Sequence, residues 1–248
     1  REVGFGFAGT ILPAKMKYQL YLVNGFNGYD GKGRLNGKDG LRGGRQKGAE
    51  SFISSPDFTT RLEYFGLMGF NVGLSGYFGN TESSLFNGID KNDAAMKSKA
   101  DSTVVGISMF GFDGRYSKNG FQGKFQLYYT SISNTEQYNT FTASSGIKNN
   151  LGSSMAGYYV EAGYNVFRLF TQIKPELIPF LRYEGYDTHN SVSGDLLRNN
   201  SYNNKIITTG ISLKLNSGAV LKADLQFLKT KTSPNYSKVF NAGVAVMF

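Results

Sequence analysis

Apolar side chains alternate with small or polar ones in about eleven segments of the chain, each roughly 10–13 residues long. Successive side chains of a β-strand point to opposite faces, so each segment would be apolar on one face only. The C-terminal segment Tyr236–Phe248 shows the pattern well, because Phe240 and Val244 fall on one face and Asn241 and Gly243 on the other. Strands of this length can cross a bilayer at a tilt, and an aromatic residue at the end of such a strand fits an interfacial girdle.

The composition agrees with one large β-sheet domain and disfavours several other classes. The 248 residues include 32 Gly, 20 Phe and 16 Tyr, which favours many strands rather than helices. The sequence contains no run of about 18 apolar residues, so no transmembrane helix is predicted. The absence of Cys excludes a disulfide scaffold. The net charge of +9 comes from scattered Lys and Arg without a recognised nucleic-acid motif, so no nucleic-acid partner is predicted.

Short turns alternate with long polar connections along the chain. The long connections are predicted as external loops over residues 27–56, 80–101, 133–154 and 190–203. Between the second and third of them, Ser102–Asp113 and Phe121–Ile132 are predicted to be strands joined by a turn over Gly114–Gly120. The alternation in Ser102–Asp113 is ambiguous. Short turns at one end and long loops at the other are typical of outer-membrane barrels.

The fold class predicted from these features is all-β, a transmembrane antiparallel up-and-down β-barrel. Residues 1–248 would form the C-terminal part of a single barrel domain. Single-chain bacterial barrels have an even strand number with both termini on the periplasmic side. The predicted strand number here, about eleven, is odd, and the first strand would start on the external side. Both features predict that N-terminal strands are missing from a barrel of about 16 strands. A miscounted hairpin is the alternative.

Five segments carry a resemblance to a known family. YLVNGFNGYDG, LRGGRQKGAES, SGYFGNTES, GYYVEAGYNV and LIPFLRYEGYDTHN resemble the porin O/P (phosphate-selective) family of outer-membrane porins, in particular its members from Bacteroidota-like bacteria. The resemblance implies a sixteen-stranded barrel, commonly a homotrimer, that passes small solutes. Phosphate selectivity in that family comes from a ladder of inward Arg and a Lys cluster. This chain does not match them residue by residue, so the resemblance implies no phosphate-binding residues here.

Alternation places a set of charged residues on the face opposite the apolar one. A charge facing lipid near the bilayer centre costs roughly 2–4 kcal/mol, so these residues are predicted to line the pore. One interpretation is a lining that favours anions, and the other is mutual neutralisation that braces the wall. The pore-lining candidates are Lys17, Arg61, Glu63, Lys124, Glu161, Arg182, Glu184, Lys214, Lys222 and Asp224.

The loop over residues 27–56 is the second candidate site. Its basic residues outnumber its acidic ones, and like charges along a narrow entry concentrate counter-ions. The loop would either fold into the mouth and attract anions or stay solvated outside, in contact with anionic lipopolysaccharide. The mouth-loop candidates are Lys32, Arg34, Lys38, Arg42, Arg45 and Lys47.

No catalytic, cofactor-binding or metal-binding residue is predicted. His189 is the only histidine, and its neighbours Asp187 and Ser191 are the residue types that hydrolase chemistry would need beside it. One His without Cys disfavours a structural zinc site.

The predicted function is an outer-membrane porin, not an enzyme, for passive diffusion of small hydrophilic solutes, with anion or phosphate preference as a hypothesis. Its expected partners are membrane lipid, lipopolysaccharide and two further copies of the chain. Two alternatives remain open, a structural or secretion-associated barrel with a plugged lumen and an outer-membrane hydrolase.

Overall fold

The computed structural model describes residues 2–48, 51–90, 92–170 and 173–247. The strands in these residues are β1 (Gly4–Ile11), β2 (Met16–Val23), β3 (Asn27–Tyr29), β4 (Asp57–Leu67), β5 (Phe70–Asn80), β6 (Glu82–Ser83), β7 (Gly106–Lys118), β8 (Phe121–Ile132), β9 (Ser154–Tyr164), β10 (Glu176–Ser191), β11 (Asn203–Asn216), β12 (Ala219–Thr230) and β13 (Ser237–Val246). The helices α1 (Ala94–Asp101) and α2 (Thr135–Phe141) lie in long connections.

Eleven of the strands form one antiparallel sheet, in the order β1-β2-β4-β5-β7-β8-β9-β10-β11-β12-β13. Each of these strands therefore lies beside the next strand of the same sheet along the chain. This up-and-down order confirms the predicted all-β sheet. The sheet is not closed, and β1 and β13 are its two edges. The other two strands, β3 and β6, form a small parallel sheet that was not predicted.

The alternation seen in the sequence becomes two chemically different faces of the sheet. On the face that we call the outer face, large apolar side chains remain exposed, with exposed fractions of 71% for Phe5 and 70% for Phe240. The registers pair outer-face residues with each other, as for Leu74 with Phe112 and Phe112 with Leu127. The opposite face, which we call the inner face, carries Lys17, Arg61, Lys124, Glu161 and Arg182.

The buried core lies on the inner face at the end of the sheet that carries the long connections. Its buried members are Val23, Leu35, Tyr77, Val105, Ile107, Ile132, Tyr138 and Leu151. Some come from strands and others from the long connections, so these connections pack into the sheet. Helix α1 begins where the side chain of Asp93 accepts a hydrogen bond from the Met96 N–H.

Several predicted boundaries were wrong. Strand β7 begins at Gly106 and runs to Lys118, so the turn predicted over Gly114–Gly120 is only Asn119–Gly120. Asn119 and Gly120 have φ values of 54° and 84°, which suits a two-residue hairpin turn. The small residues of β7 had hidden its alternation. The C-terminal strand ends at Val246, and Phe248 lies outside the described residues.

The four predicted loops are partly ordered secondary structure. Strand β10 continues to Ser191, past the predicted loop start at residue 190. Residues 80–101 contain β6 and α1, and residues 133–154 contain α2. Within the described part of the chain, no helical segment has the length and apolar character to cross a membrane.

Candidate functional site

Three charged side chains form a ladder across β8, β9 and β10 on the inner face. Lys124 and Arg182 are the direct register partners of Glu161. The Lys124 ammonium donates to Glu161 Oε1 at 2.9 Å, and Arg182 donates from Nε at 2.9 Å and from Nη2 at 2.7 Å to Oε2. The Arg182 guanidinium also lies over the ring of Tyr159, 4.5 Å from its centroid. Directly opposed opposite charges stabilise neighbouring strands.

A second ion pair bridges β4 and β7 over the strand between them. Arg61 donates to both carboxylate oxygens of Asp113, at 2.5 Å and 2.9 Å. The pair passes over Gly73 of β5, where a Cβ atom would lie 2.9 Å from Asp113 Oδ2 and closer still to the guanidinium. Glycine at this position therefore opens the space through which a bidentate Arg–carboxylate pair forms.

The remaining predicted lining residues also lie close to opposite charges. Lys17 and Glu63 are 4.0 Å apart, and Lys214 and Glu176 are 2.9 Å apart. Three further pairs are longer contacts between residues of the same strand: Arg61–Glu63 at 3.6 Å, Arg182–Glu184 at 3.8 Å and Lys222–Asp224 at 3.8 Å. The inner face is therefore largely charge-compensated, while the role of these residues as a pore lining stays a prediction.

Three of the inner-face charges that sequence reasoning missed are Asp113, Arg115 and Glu176. Asp113 and Arg115 lie in β7, where the strand end had been placed too early, so their shared face was not recognised. Arg115 is the register partner of Lys124, which places it on the inner face. Within the described residues it has no carboxylate at salt-bridge distance. Reading the alternation of β7 through to Lys118 would have identified all but Glu176.

The connection over residues 27–56, which we call the crossing loop, spans the inner face. It joins β2 to β4, yet residues in its middle contact β9 and β10, beyond the intervening strands β5, β7 and β8. The Thr188 hydroxyl of β10 donates to the Gly37 carbonyl, and Gly40 lies against Met155 of β9. Sequence reasoning had left open whether this loop folds inward, and these contacts place it across the sheet.

Tyr138 of α2 is the main anchor of the crossing loop. Its hydroxyl donates to the Gly28 carbonyl at 2.7 Å and accepts from the N–H groups of Arg34 at 3.0 Å and Leu35 at 3.1 Å. The side chain is fully buried, and Leu35 packs in the same apolar cluster. Burial raises the pKa of the Tyr138 phenol, so the hydroxyl keeps the proton that it donates to Gly28.

A second anchor holds the middle of the crossing loop at Gly37. The Gly37 N–H donates to Asn150 Oδ1 at 2.9 Å. A Cβ atom at Gly37 would overlap the Asn150 carbonyl and lie 2.6 Å from His189 Nε2. The absence of a side chain at this position allows the loop to approach both neighbours.

His189 is a structural residue in this junction. It is fully buried, its Nδ1 accepts from the Asn199 N–H at 3.0 Å, and its Nε2 faces the Asn150 carbonyl. Facing a carbonyl requires Nε2 to donate, which defines a neutral tautomer with both ring nitrogens engaged. Asp187 is bound by Arg198 and by Asn203. No ring nitrogen is left to act as a general base in this geometry.

The mouth-loop candidates divide into one half-buried residue, Arg34, and five exposed ones. Arg34 donates to both carboxylate oxygens of Asp30. The exposed residues are Lys32, Lys38, Arg42, Arg45 and Lys47. Within the described residues, no group of three or more His, Asp or Glu side chains has a geometry that could hold a metal ion.

A curated protein is similar to this chain in sequence. No protein-family model matches the chain. An uncharacterized protein of Aquifex aeolicus (strain VF5) is 26% identical over 251 residues, a match that covers 100% of this chain and 53% of that protein. The chain thus spans about half the length of this curated relative.

Two of the solved structures that are similar to this chain are porins. An anion-selective porin from Comamonas acidovorans has a TM-score of 0.50 at 14% identity, over 97% of this chain and 54% of that one. A porin structure refined at 1.8 Å has a TM-score of 0.49 at 12% identity, over 100% of this chain and 62% of that one. No conclusion about the fold is based on this second, weaker similarity. The first likeness shows that the chain has a porin-like β-sheet fold.

Proposed function

We propose that this chain forms part of an outer-membrane porin through which small hydrophilic solutes diffuse passively, without chemical transformation. The observation that carries the proposal is the crossing loop, held by Tyr138 and Gly37 across the charged inner face of an up-and-down sheet. A loop in this position narrows the passage along the inner face, and a narrow passage selects solutes by size and charge. The exposed aromatic and aliphatic residues of the outer face suit contact with lipid.

Closure of the barrel requires partners for the edge strands β1 and β13. Open strand edges cannot be left in the hydrocarbon region, because their backbone groups would lack hydrogen-bond partners. We propose that strands outside this sequence complete a barrel of about 16 strands, as in the porin O/P family. The greater length of the Aquifex aeolicus relative supports this. A homotrimer with lipopolysaccharide around its outer rim completes the proposal.

The proposed anion preference rests on the crossing loop and on Arg115, which has no carboxylate at salt-bridge distance among the described residues. The inner-face charges largely compensate one another, whereas Lys38, Arg42 and Arg45 are exposed on the loop. Positive charge beside a constriction raises the local anion concentration and lowers that of cations. Inorganic phosphate would be one of the favoured anions.

Planar-bilayer recordings of the full-length protein test the proposal. Under a salt gradient, the reversal potential should show anion preference, and replacing Lys38, Arg42 and Arg45 with Gln should shift it toward cations. The matched control replaces Lys97, Lys99 and Lys148 with Gln, which removes the same charge from other long connections and should leave the reversal potential near wild type. Conductance with cation preference would refute the proposed anion preference. Absence of conductance would refute the proposal that the protein is an open porin.

A barrel with a plugged lumen is the second candidate. It is favoured by the packing at the loop end of the inner face, where Tyr138, Val105 and Leu151 have no exposed surface. A full-length protein that inserts into bilayers and conducts only after Tyr138→Ala would support this candidate over the open porin.

A further inference from the structure

The connection between β9 and β10 differs from the others at its end of the sheet. The hairpin turns there are short, at residues 12–15, 68–69, 119–120 and 217–218, whereas this connection covers residues 165–175. Its described part includes a short 3-10 helix, Val166–Leu169. The Asn165 N–H donates to the Gly120 carbonyl at 2.8 Å, which attaches the connection to the β7–β8 turn.

Apolar side chains of this connection are exposed at the short-turn end of the sheet. The exposed fractions are 69% for Leu169, 58% for Phe170 and 42% for Ile173. At the adjoining strand ends, the rings of Phe121 and Tyr164 lie 4.6 Å apart. Phe121, an outer-face residue that is itself 58% exposed, lines the same cleft as Phe170 and Ile173, so the apolar surface of the outer face reaches the connection.

Three cations surround a cleft of about 510 Å³ formed by this connection and the β7–β8 turn. They are Lys118, Arg168 and Lys174, and all three are exposed. In β7, Lys118 is an even number of residues from Phe110 and Phe112, so its side chain lies on the outer face with theirs. Over the described ranges, none of the three has a carboxylate at salt-bridge distance, and the only acidic lining residue, Glu176, is bound to Lys214 at 2.9 Å.

We propose that this cleft binds the phosphate headgroup of an anionic phospholipid, with Leu169, Phe170 and Ile173 at the boundary between headgroups and acyl chains. Exposed apolar groups next to uncompensated cations match the composition of segments that lie in a membrane interface. A phospholipid matches both the cations and the apolar side chains, because its phosphate pairs with the cations and its acyl chains cover the apolar side chains. The inference rests on the proposed function, which brings this end of the sheet to a membrane surface.

Native mass spectrometry of the full-length protein with phosphatidylglycerol or phosphatidylcholine tests the cleft. The test variant replaces Lys118, Arg168 and Lys174 with Gln, and the control replaces Lys97, Lys99 and Lys148 with Gln, which removes the same charge. The wild type and the control should retain phosphatidylglycerol in preference to phosphatidylcholine. The test variant should retain phosphatidylglycerol about tenfold less, because each cation near an anionic surface contributes to binding.

Two results would overturn the inference. One is equal retention of the two lipids by the wild type, and the other is undiminished phosphatidylglycerol retention by the test variant. A change in oligomer mass of the test variant without loss of lipid would assign the surface to a second copy of the chain instead. Unchanged far-UV circular dichroism shows that the variant has folded.

Bilayer conductance separates the two proposals. The cleft variant should conduct like the wild type, because Lys118, Arg168 and Lys174 lie at the short-turn end of the sheet, at the opposite end from the crossing loop. A protein that retains phosphatidylglycerol as expected but never conducts would refute the porin while supporting the lipid cleft. A conducting protein without lipid preference would refute the cleft alone.

Discussion

The inner face has two regions with different chemistry. At the loop end, Tyr138 and His189 are fully buried and hydrogen-bonded to residues distant in sequence. In the middle and toward the short turns, cross-strand ion pairs line the face, and the side chains of Lys124 and Arg182 are 44% and 29% exposed. A buried network is costly to break because its polar groups have no water to replace the lost partner, whereas exposed ion pairs contribute little to stability. The loop end should therefore govern stability and pore width, whereas breaking one ion pair should change the charge of the inner face at little cost in stability.

The largest effect is expected from Tyr138→Ala. Removing a fully buried aromatic side chain in a core typically costs about 3–5 kcal/mol, and the crossing loop would also lose its anchor. We expect a lower urea midpoint and a larger single-channel conductance. Tyr129→Ala is the control, because Tyr129 is 48% exposed on the outer face. Equal effects of the two substitutions would contradict the special role of the loop end.

A somewhat smaller effect is expected from Tyr138→Phe, which keeps the ring but removes the hydroxyl. The Gly28 carbonyl and the N–H groups of Arg34 and Leu35 would lose this partner. Each buried polar group left without a partner costs about 1–3 kcal/mol. A urea midpoint between those of the wild type and Tyr138→Ala is the expected result, and a midpoint equal to wild type would show that water replaces the hydroxyl.

Gly37→Leu tests the second anchor. The new side chain would overlap the Asn150 carbonyl and the His189 ring, so the middle of the crossing loop should move away from β9 and β10. Higher conductance with a modest loss of stability, about 1–3 kcal/mol, is expected. Gly243→Leu is the matched control, because a Cβ atom there meets no atom within 4 Å.

Glu161→Gln should change selectivity more than stability. Lys124 and Arg182 would lose their shared carboxylate, which leaves Lys124 uncompensated and Arg182 with only its longer contact to Glu184. The ratio of anion to cation permeability, measured from the reversal potential, should rise roughly twofold. An unchanged permeability ratio would show that these side chains do not face the permeation path.

The smallest effect is expected from Lys214→Gln. The Lys214–Glu176 pair has side chains that are 41% and 43% exposed, and pairs of this kind contribute about 0–1 kcal/mol. A urea midpoint within error of wild type is expected. A loss comparable to that of Tyr138→Phe would contradict the distinction between the two regions.

Periodicity predicted the sheet well because each strand obeys a local rule. Strands β8 and β12 have the bounds that alternation predicted, Phe121–Ile132 and Ala219–Thr230. Strand β7 was misplaced because Gly111 and Gly114 weaken the contrast between its faces. The order of the strands followed from the turns, since short hairpins join neighbours.

The loop contacts could not be predicted from the sequence. Tyr138 and Gly28 are separated by 110 residues, and Thr188 and Gly37 by 151. No local pattern marks such partners, because they meet only when β2, β9 and β10 are in place. The same applies to the ion pair of Arg61 with Asp113, which passes over a strand between them.

By itself the sequence determined the two faces of the sheet and the order of its strands, because alternation and turn length act between residues close along the chain. Only the tertiary structure decided that the crossing loop lies across the inner face and that most inner charges are paired. The physical reason is that both depend on distances between residues far apart in sequence, which are set by the packed sheet as a whole.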